Sequence, residues 1–212
     1  MNNLKERLRF HYLPLLALVI IATFIFNHYW PKRDSITVIT DASGYISIIL
    51  VTFSLLIGPF NLLLKRINPI SSYFRRDIGI TGGVLAIVHS VAGLFVHLRG
   101  QNWQYFLIKA QSGYSIRLDD FGLANYTGLV SGLIIILLLL TSNDFSFRKL
   151  NPSMWKNIQR FTYLAFLFAI IHVVFYKVVQ TNLNLVWCLY LPMLLIVILF
   201  QVVGIRIKLR KI

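Results

Sequence analysis

The sequence predicts an all-α integral membrane protein, a six-transmembrane-helix bundle with both termini in the cytoplasm. Hydrophobic residues make up 57% of the 212 residues and charged residues only 13%, whereas a soluble domain carries roughly 25% charged residues. Six apolar stretches are long enough to cross a hydrocarbon core of about 30 Å, which takes about 20 helical residues. Basic residues concentrate on one side of these stretches, and that asymmetry predicts the orientation.

The predicted spans cover 11–29, 44–64, 78–98, 121–142, 158–179 and 185–205. The first span follows a basic N-terminus, but the FNHYWPKRD segment after it lacks the small residues of a signal-peptide cleavage site, which indicates a retained helix. Both termini, the 65–77 loop and the 148–160 segment carry most of the Lys and Arg residues, and these regions are therefore predicted to be cytoplasmic. Trp30, Trp103 and Trp155 lie near span ends, as interfacial anchors do.

The charge balance and the single cysteine exclude several classes of function. The net charge is +14, from 21 Lys and Arg against 7 Asp and Glu. In a membrane protein such an excess is typical of helix orientation and contact with anionic lipid, so no nucleic-acid partner is expected. Cys188 has no cysteine partner, which excludes an intrachain disulfide and a thiolate metal cluster. The sequence also lacks HExxH and GK[ST] motifs, which disfavours an ordinary hydrolase.

The longest segment between spans, 99–120, mixes aromatic and polar residues. Two interpretations stay open for it: an amphipathic stretch lying on the outer membrane surface, and a docking surface for an extracytoplasmic partner.

The histidines are the informative polar residues. His11 and His28 lie near the two ends of the first span, where an imidazole reaches headgroups or water, and we expect interfacial roles for them. His89 lies roughly 16 Å into the third span and His172 roughly 21 Å into the fifth, counted along a helix from the cytoplasmic side. An ionisable side chain at such depth predicts a functional site.

Small residues line the helix faces that carry these two histidines: Gly82, Ala86 and Gly93 around His89, and Ala165 and Ala169 around His172. One interpretation is close helix packing with the histidines as interhelical hydrogen-bonding groups. The other is a flat porphyrin between two helices, with an imidazole reaching iron from each side. The spacing alone does not decide between them.

Two longer segments resemble a known family. RRDIGITGGVLAIVH (75–89) and LTSNDFSFRKLNPSMWKNIQRFTYLAFLFAIIH (140–172) are similar to landmarks of the ferric-reductase-like transmembrane domain family, and most similar to its MsrQ/YedZ branch of haem-binding membrane subunits of periplasmic methionine-sulfoxide reductase systems. The resemblance covers roughly 44–205. It leaves 1–43 as an N-terminal helix with the first outer loop, and 206–212 as a short basic cytoplasmic tail.

The resemblance implies site residues and cofactors. His89 and His172 would be the axial ligands of one b-type haem per chain, and Gly82, Ala86, Gly93, Ala165 and Ala169 would pack against the porphyrin. Gln159 stands where family members with a second haem have a histidine, which favours a single haem. His97 is interpreted as an interfacial histidine, or as a group near the outer haem edge or a quinone. FMN or a quinone would be an additional cofactor.

The function implied is transmembrane electron transfer in the bacterial cytoplasmic membrane. A cytoplasmic flavin reductase would be the donor, since only a short tail follows span six, and a quinone or a periplasmic reductase would be the acceptor. Two alternatives stay open: a non-redox permease or assembly factor with interhelical histidines, and a stand-alone ferric or oxygen reductase. The oligomeric state is not predicted.

Overall fold

A computed structural model describes residues 4–29, 34–65, 69–98, 101–110 and 113–209, without the side chains of 69–72. Trp30 and several of the basic residues that predict the orientation lie outside this part of the chain. The helices are α1 Leu4–Tyr29, α2 Ser35–Leu63, α3 Pro69–Gly93, α4 Asp120–Thr141, α5 Asp144–Lys149, α6 Pro152–Gln159, α7 Phe161–Val179 and α8 Val186–Leu209.

The helices confirm an all-α membrane protein. Within the described residues, five segments are long and apolar enough to cross a bilayer: α1, α2, α4, α6 together with α7, and α8. The third predicted span, 78–98, lies on α3, which carries Arg75, Arg76 and Asp77 and ends at Gly93, so that 94–98 form turns. This sixth span therefore stays a prediction, as do the cytoplasmic termini.

Capping residues explain where the later helices begin. The Asp119 carboxylate accepts a hydrogen bond from the Gly122 N–H at 2.8 Å, and α4 starts at the next residue. The side chains of Asn143 and Asn151 accept equivalent bonds from Ser146 and Met154, at the starts of α5 and α6. These bonds satisfy N–H groups that lack a partner in the first turn of a helix.

A small antiparallel hairpin interrupts the otherwise helical chain. A 3₁₀ turn, Asn102–Tyr105, leads into β1 Leu107–Ala110, which pairs with β2 Gly113–Ile116. Gly113 has a φ of +131°, which residues with a side chain rarely adopt, and this favours a reversal of the chain there. The prediction of an amphipathic stretch in 99–120 did not anticipate strands.

The structure divides into two compact units, and α3 and α8 each contribute to both. The first unit comprises Met1–Ala86 and Met193–Ile212. Its core contains Leu15, Ala42, Ile46, Leu50 and Ile78.

Close helix packing in this first unit involves Gly82. The Ser47 hydroxyl on α2 donates a hydrogen bond to the Gly82 carbonyl at 2.8 Å. A Cβ at Gly82 would lie 3.1–3.2 Å from atoms of Val51, Leu50 and Ser47. The absence of a side chain at Gly82 therefore allows α3 to pack closely against α2. Gln201 on α8 donates to the Leu55 carbonyl of α2 at 2.9 Å, another interhelical polar contact.

A buried charge cluster links α1 to α3. Asp77 is completely buried, and its carboxylate accepts hydrogen bonds from the guanidinium of Arg7, from His11 Nδ1 at 2.5 Å and from the Tyr12 hydroxyl at 2.8 Å. Residues Leu8–Tyr12 form a π-helical turn, which is wound more widely than an α-helix. From this turn the consecutive side chains of His11 and Tyr12 both contact the Asp77 carboxylate. The interfacial role expected for His11 is therefore wrong: the imidazole is buried against Asp77, whereas His28 is exposed.

The second unit, Ile87–Pro192, holds α4 against α7. The Ser131 hydroxyl of α4 donates to the Ala165 carbonyl of α7 at 2.9 Å, and Ala165 is buried. The Trp155 indole of α6 donates to the Thr141 carbonyl at the end of α4 at 2.9 Å.

Candidate functional site

The two deep histidines meet in the second unit. His89 comes from α3 and His172 from α7, and their ring centroids lie 6.0 Å apart with an interplanar angle of 80°. Both residues are partly buried. The structure thus brings together the two residues for which the sequence predicts a shared site, although they lie 83 positions apart in the chain.

A backbone hydrogen bond orients His172. Its Nδ1 lies 2.7 Å from the Ala124 carbonyl oxygen of α4. Because a carbonyl oxygen only accepts, Nδ1 must carry the proton and donate it. In the neutral ring, Nε2 then keeps its lone pair. A histidine that binds a metal through one ring nitrogen typically donates its other N–H in this way, which fixes the tautomer and the ring orientation.

A glycine on α4 makes room for this ring. A Cβ at Gly128 would lie 2.7 Å from His172 Nδ1, closer than such atoms approach each other, and 3.1 Å from its Cε1, a tight contact. Ala124, Gly128 and Ser131 lie on one face of α4, four and three residues apart. This strip of small residues is not among the features predicted from the sequence, although its spacing was the available signal.

Aromatic rings surround His172 on the side toward the end of α7. Tyr176 lies one turn further along, with its ring centroid 5.5 Å from that of His172. Its ring also contacts His97 at 5.7 Å and Phe121 at 5.9 Å. His97 is therefore separated from the histidine pair by one aromatic side chain.

His97 itself is exposed, on the turn that follows α3. The Tyr105 hydroxyl holds this turn, since it accepts from the His97 N–H at 3.2 Å and donates to the Gly93 carbonyl at 3.0 Å. An open pocket of about 440 Å³ lies beside the turn and is lined by Val96, His97, Leu98 and Gln101.

The small residues predicted to pack against a porphyrin lie in different surroundings. Gly82 packs against α2 in the first unit, Gly93 accepts the hydrogen bond from Tyr105, and Ala165 accepts the one from Ser131. Ala86 and Ala169 are partly buried. The contacts of Gly82 and Ala165 are those of closely packed helices, one of the two interpretations that the spacing left open.

The histidine pair fits a metal that brings most of its own ligands. Within the described residues, no group of three or more His, Cys, Asp or Glu side chains could hold an ion, whereas protein zinc sites typically use three or four such ligands. Haem iron takes four ligands from the porphyrin and needs only axial groups from the protein. The 6.0 Å separation of the two rings is also usual for an edge-to-face contact between aromatic rings.

Gln159 occupies the position at which family members with a second haem have a histidine ligand. Its side-chain amide is directed to the end of α4. Its Nε2 donates to Thr141 Oγ1 at 3.2 Å. This contact ties α6 to the same helix end that accepts the Trp155 indole.

The fold and the site together define a multi-pass α-helical membrane protein in which two histidines from different helices lie close together. The family model of the ferric reductase like transmembrane component matches residues 43–170. The chain belongs to this family, since the match covers more than half of its length. His89 lies inside the matched range, and His172 lies two residues beyond its end. No curated protein matches the chain closely enough to count as a relative.

Proposed function

We propose that the chain is a haem b transmembrane electron-transfer subunit, with His89 and His172 as the axial ligands of one haem. The observation that carries the proposal is the His172 ring, whose Nδ1 donates to the Ala124 carbonyl while its centroid lies 6.0 Å from that of His89. Membership of the ferric reductase like family supports a membrane electron-transfer role. The haem would supply a one-electron redox centre whose potential follows from its axial ligands and their surroundings.

The protein's own contribution is to hold two imidazoles in place and to exclude water. Ala124 fixes the His172 tautomer and Gly128 admits the ring close to α4. Tyr176 covers His172 on one side. His89 and His172 would hold the haem, and with two imidazole ligands it would supply electron transfer rather than oxygen binding.

The finer assignment follows the resemblance to the MsrQ/YedZ branch. A cytoplasmic flavin reductase or free FMN would deliver electrons on one side of a bacterial cytoplasmic membrane. A quinone or an extracytoplasmic reductase would accept them on the other, with His97 near the acceptor. A stand-alone ferric or oxygen reductase shares this cofactor and differs only in its acceptor.

One observation favours a second candidate function, a non-redox membrane protein. The His89–His172 contact and the bond from His172 to Ala124 link α3, α7 and α4 directly. In a permease or assembly factor these rings would serve as interhelical contacts.

Electron transfer is tested in vesicles that contain the haem-loaded protein and entrapped ferricyanide. Reduced FMN is added outside, and the haem absorbance and the loss of ferricyanide are followed together. We expect ferricyanide reduction that requires the protein and is lost in His89→Ala and in His172→Ala. A haem-loaded protein that passes no electrons to the interior would contradict the proposed role.

A further inference from the structure

The β1–β2 hairpin exposes an apolar strip. Tyr114, Ile116 and Leu118 are 66%, 62% and 70% exposed. Tyr114 and Ile116 are two residues apart and therefore lie on one face of β2, and Leu118 follows just beyond the end of the strand. Trp103 packs edge-on against Tyr114, with ring centroids 4.8 Å apart. An isolated two-stranded hairpin is at best marginally stable in water, so we expect this surface to be covered.

Hydrogen bonds attach the hairpin to α4 and to the turn before β1. The Tyr126 hydroxyl of α4 donates to the Phe106 carbonyl at 2.5 Å, just before β1. Arg117, just after β2, donates to the Gln104 carbonyl at 2.9 Å. Because α4 is long and apolar enough to cross a bilayer, its first turns and the attached hairpin lie where the chain leaves the hydrocarbon core.

We propose that this strip lies in the interfacial region of the lipid bilayer and fixes the depth at which α4 begins. The surface of α4 also exposes apolar side chains, among them Leu129 and Leu133. Trp and Tyr are the residues that prefer the membrane–water interface. Lys109 pairs with Tyr114 across the strands, where its long side chain reaches the headgroups. Of the two interpretations open for 99–120, these features favour contact with lipid.

Tryptophan fluorescence tests the proposal on the full chain. Trp30, Trp155 and Trp187 are replaced by Phe, which leaves Trp103 as the only tryptophan. The protein is placed in phosphatidylcholine nanodiscs, with or without bromine on the acyl chains near the glycerol, and acrylamide is added to the water. We expect the brominated lipid to quench Trp103 strongly and acrylamide to quench it several-fold less than a free tryptophan analogue.

A pair of hairpin variants provides the matched control. Tyr114→Ser combined with Ile116→Ser removes the strip, and we expect acrylamide quenching of Trp103 to rise. Ser115→Ala changes the other face of β2 and is expected to leave the quenching as it was. If acrylamide quenches Trp103 fully in the unchanged hairpin and brominated lipid does not, the proposal is overturned, and a strand from a partner protein becomes the expected occupant. This result does not depend on haem, so it is independent of the proposed function.

Discussion

At the scale of single residues, Gly128 decides how closely His172 approaches α4. We predict that Gly128→Ala displaces the ring from the Ala124 carbonyl, because the new Cβ would lie 2.7 Å from Nδ1. Overpacking of this kind lowers the free energy of unfolding by typically about 1–3 kcal/mol. Because the His172 ring moves, we also expect the haem content and the spectrum of the reduced haem to change. Optical spectroscopy measures the haem, and thermal unfolding in detergent measures the loss of stability.

Gly132→Ala is the control, one turn further along α4. Its Cβ would lie 3.7 Å from the Ser90 hydroxyl oxygen, an ordinary van der Waals distance. If Gly128→Ala and Gly132→Ala have the same haem content and the same unfolding temperature, Gly128 has no special role in placing His172.

The buried carboxylate of Asp77 leads to a second prediction at this scale. Asp77→Asn should lower the free energy of unfolding by about 3–5 kcal/mol, because it leaves the buried Arg7 guanidinium without its counter-charge. A denaturant titration in detergent, followed by circular dichroism, measures the change.

Asp119→Asn makes the same chemical change at an exposed ion pair. Asp119 bonds to Arg117 at 2.9 Å, but its side chain is 52% exposed, and such pairs contribute roughly 0–1 kcal/mol. Equal losses in the two variants would show that the Arg7–Asp77 pair is not a buried, stabilising contact.

At the scale of elements, the start of α4 should respond to acid. The hydrogen bonds from Arg117 hold the pKa of Asp119 below its usual 3.8. Partial burial raises this pKa, whereas the hydrogen bond from the Gly122 N–H lowers it further. The pKa of the Asp119 carboxyl is lower in the folded state than in the unfolded state. Its contribution to the stability of the start of α4 is therefore fully present above the unfolded-state pKa, and it is lost as the pH falls through the folded-state pKa.

The amide resonance of Gly122 reports this titration directly. We expect its shift to have a midpoint below pH 3.8 and to be absent in Asp119→Asn, which keeps a capping side chain without a titrating group. A midpoint at or above 3.8 would contradict the ion pair and the cap.

The helices could be predicted from the sequence because each depends on local properties. Runs of apolar residues predicted the spans, and α4 begins and ends within one residue of the predicted 121–142. The hairpin was not predicted, because its strands are only four residues long and β1 carries no apolar–polar alternation to match that of β2. The start of α2 at Ser35, nine residues before the predicted 44, shows that a helix extends beyond its most apolar part.

The site was predicted only as far as composition and depth allow. Two histidines deep in apolar helices predicted a shared position, and the structure places their rings 6.0 Å apart. The partners of each ring come from distant parts of the chain: Ala124 is 48 residues from His172, and Asp77 is 66 residues from His11. No local pattern shows such contacts, which is why His11 was expected at the interface.

At the scale of the whole molecule, the family match covers only part of the chain. It leaves out α1, which is joined to α3 through the Arg7–Asp77 contact, and all of α8, which bonds to α2 through Gln201. Because membership shows a ferric reductase like membrane domain and not its cofactor or partners, the function depends on what the histidine pair binds.

Haem quantification therefore tests the central claim most directly. The purified protein is oxidised in air and then reduced with dithionite, its optical spectrum is taken in both states, and the haem is measured per chain. We predict about one haem per chain, with the sharp reduced bands of a six-coordinate b-type haem, lost in His89→Ala and in His172→Ala. About two haems per chain would contradict the assignment of Gln159. A colourless protein that cannot be reconstituted with haem would contradict the redox function and favour interhelical histidines in a non-redox membrane protein.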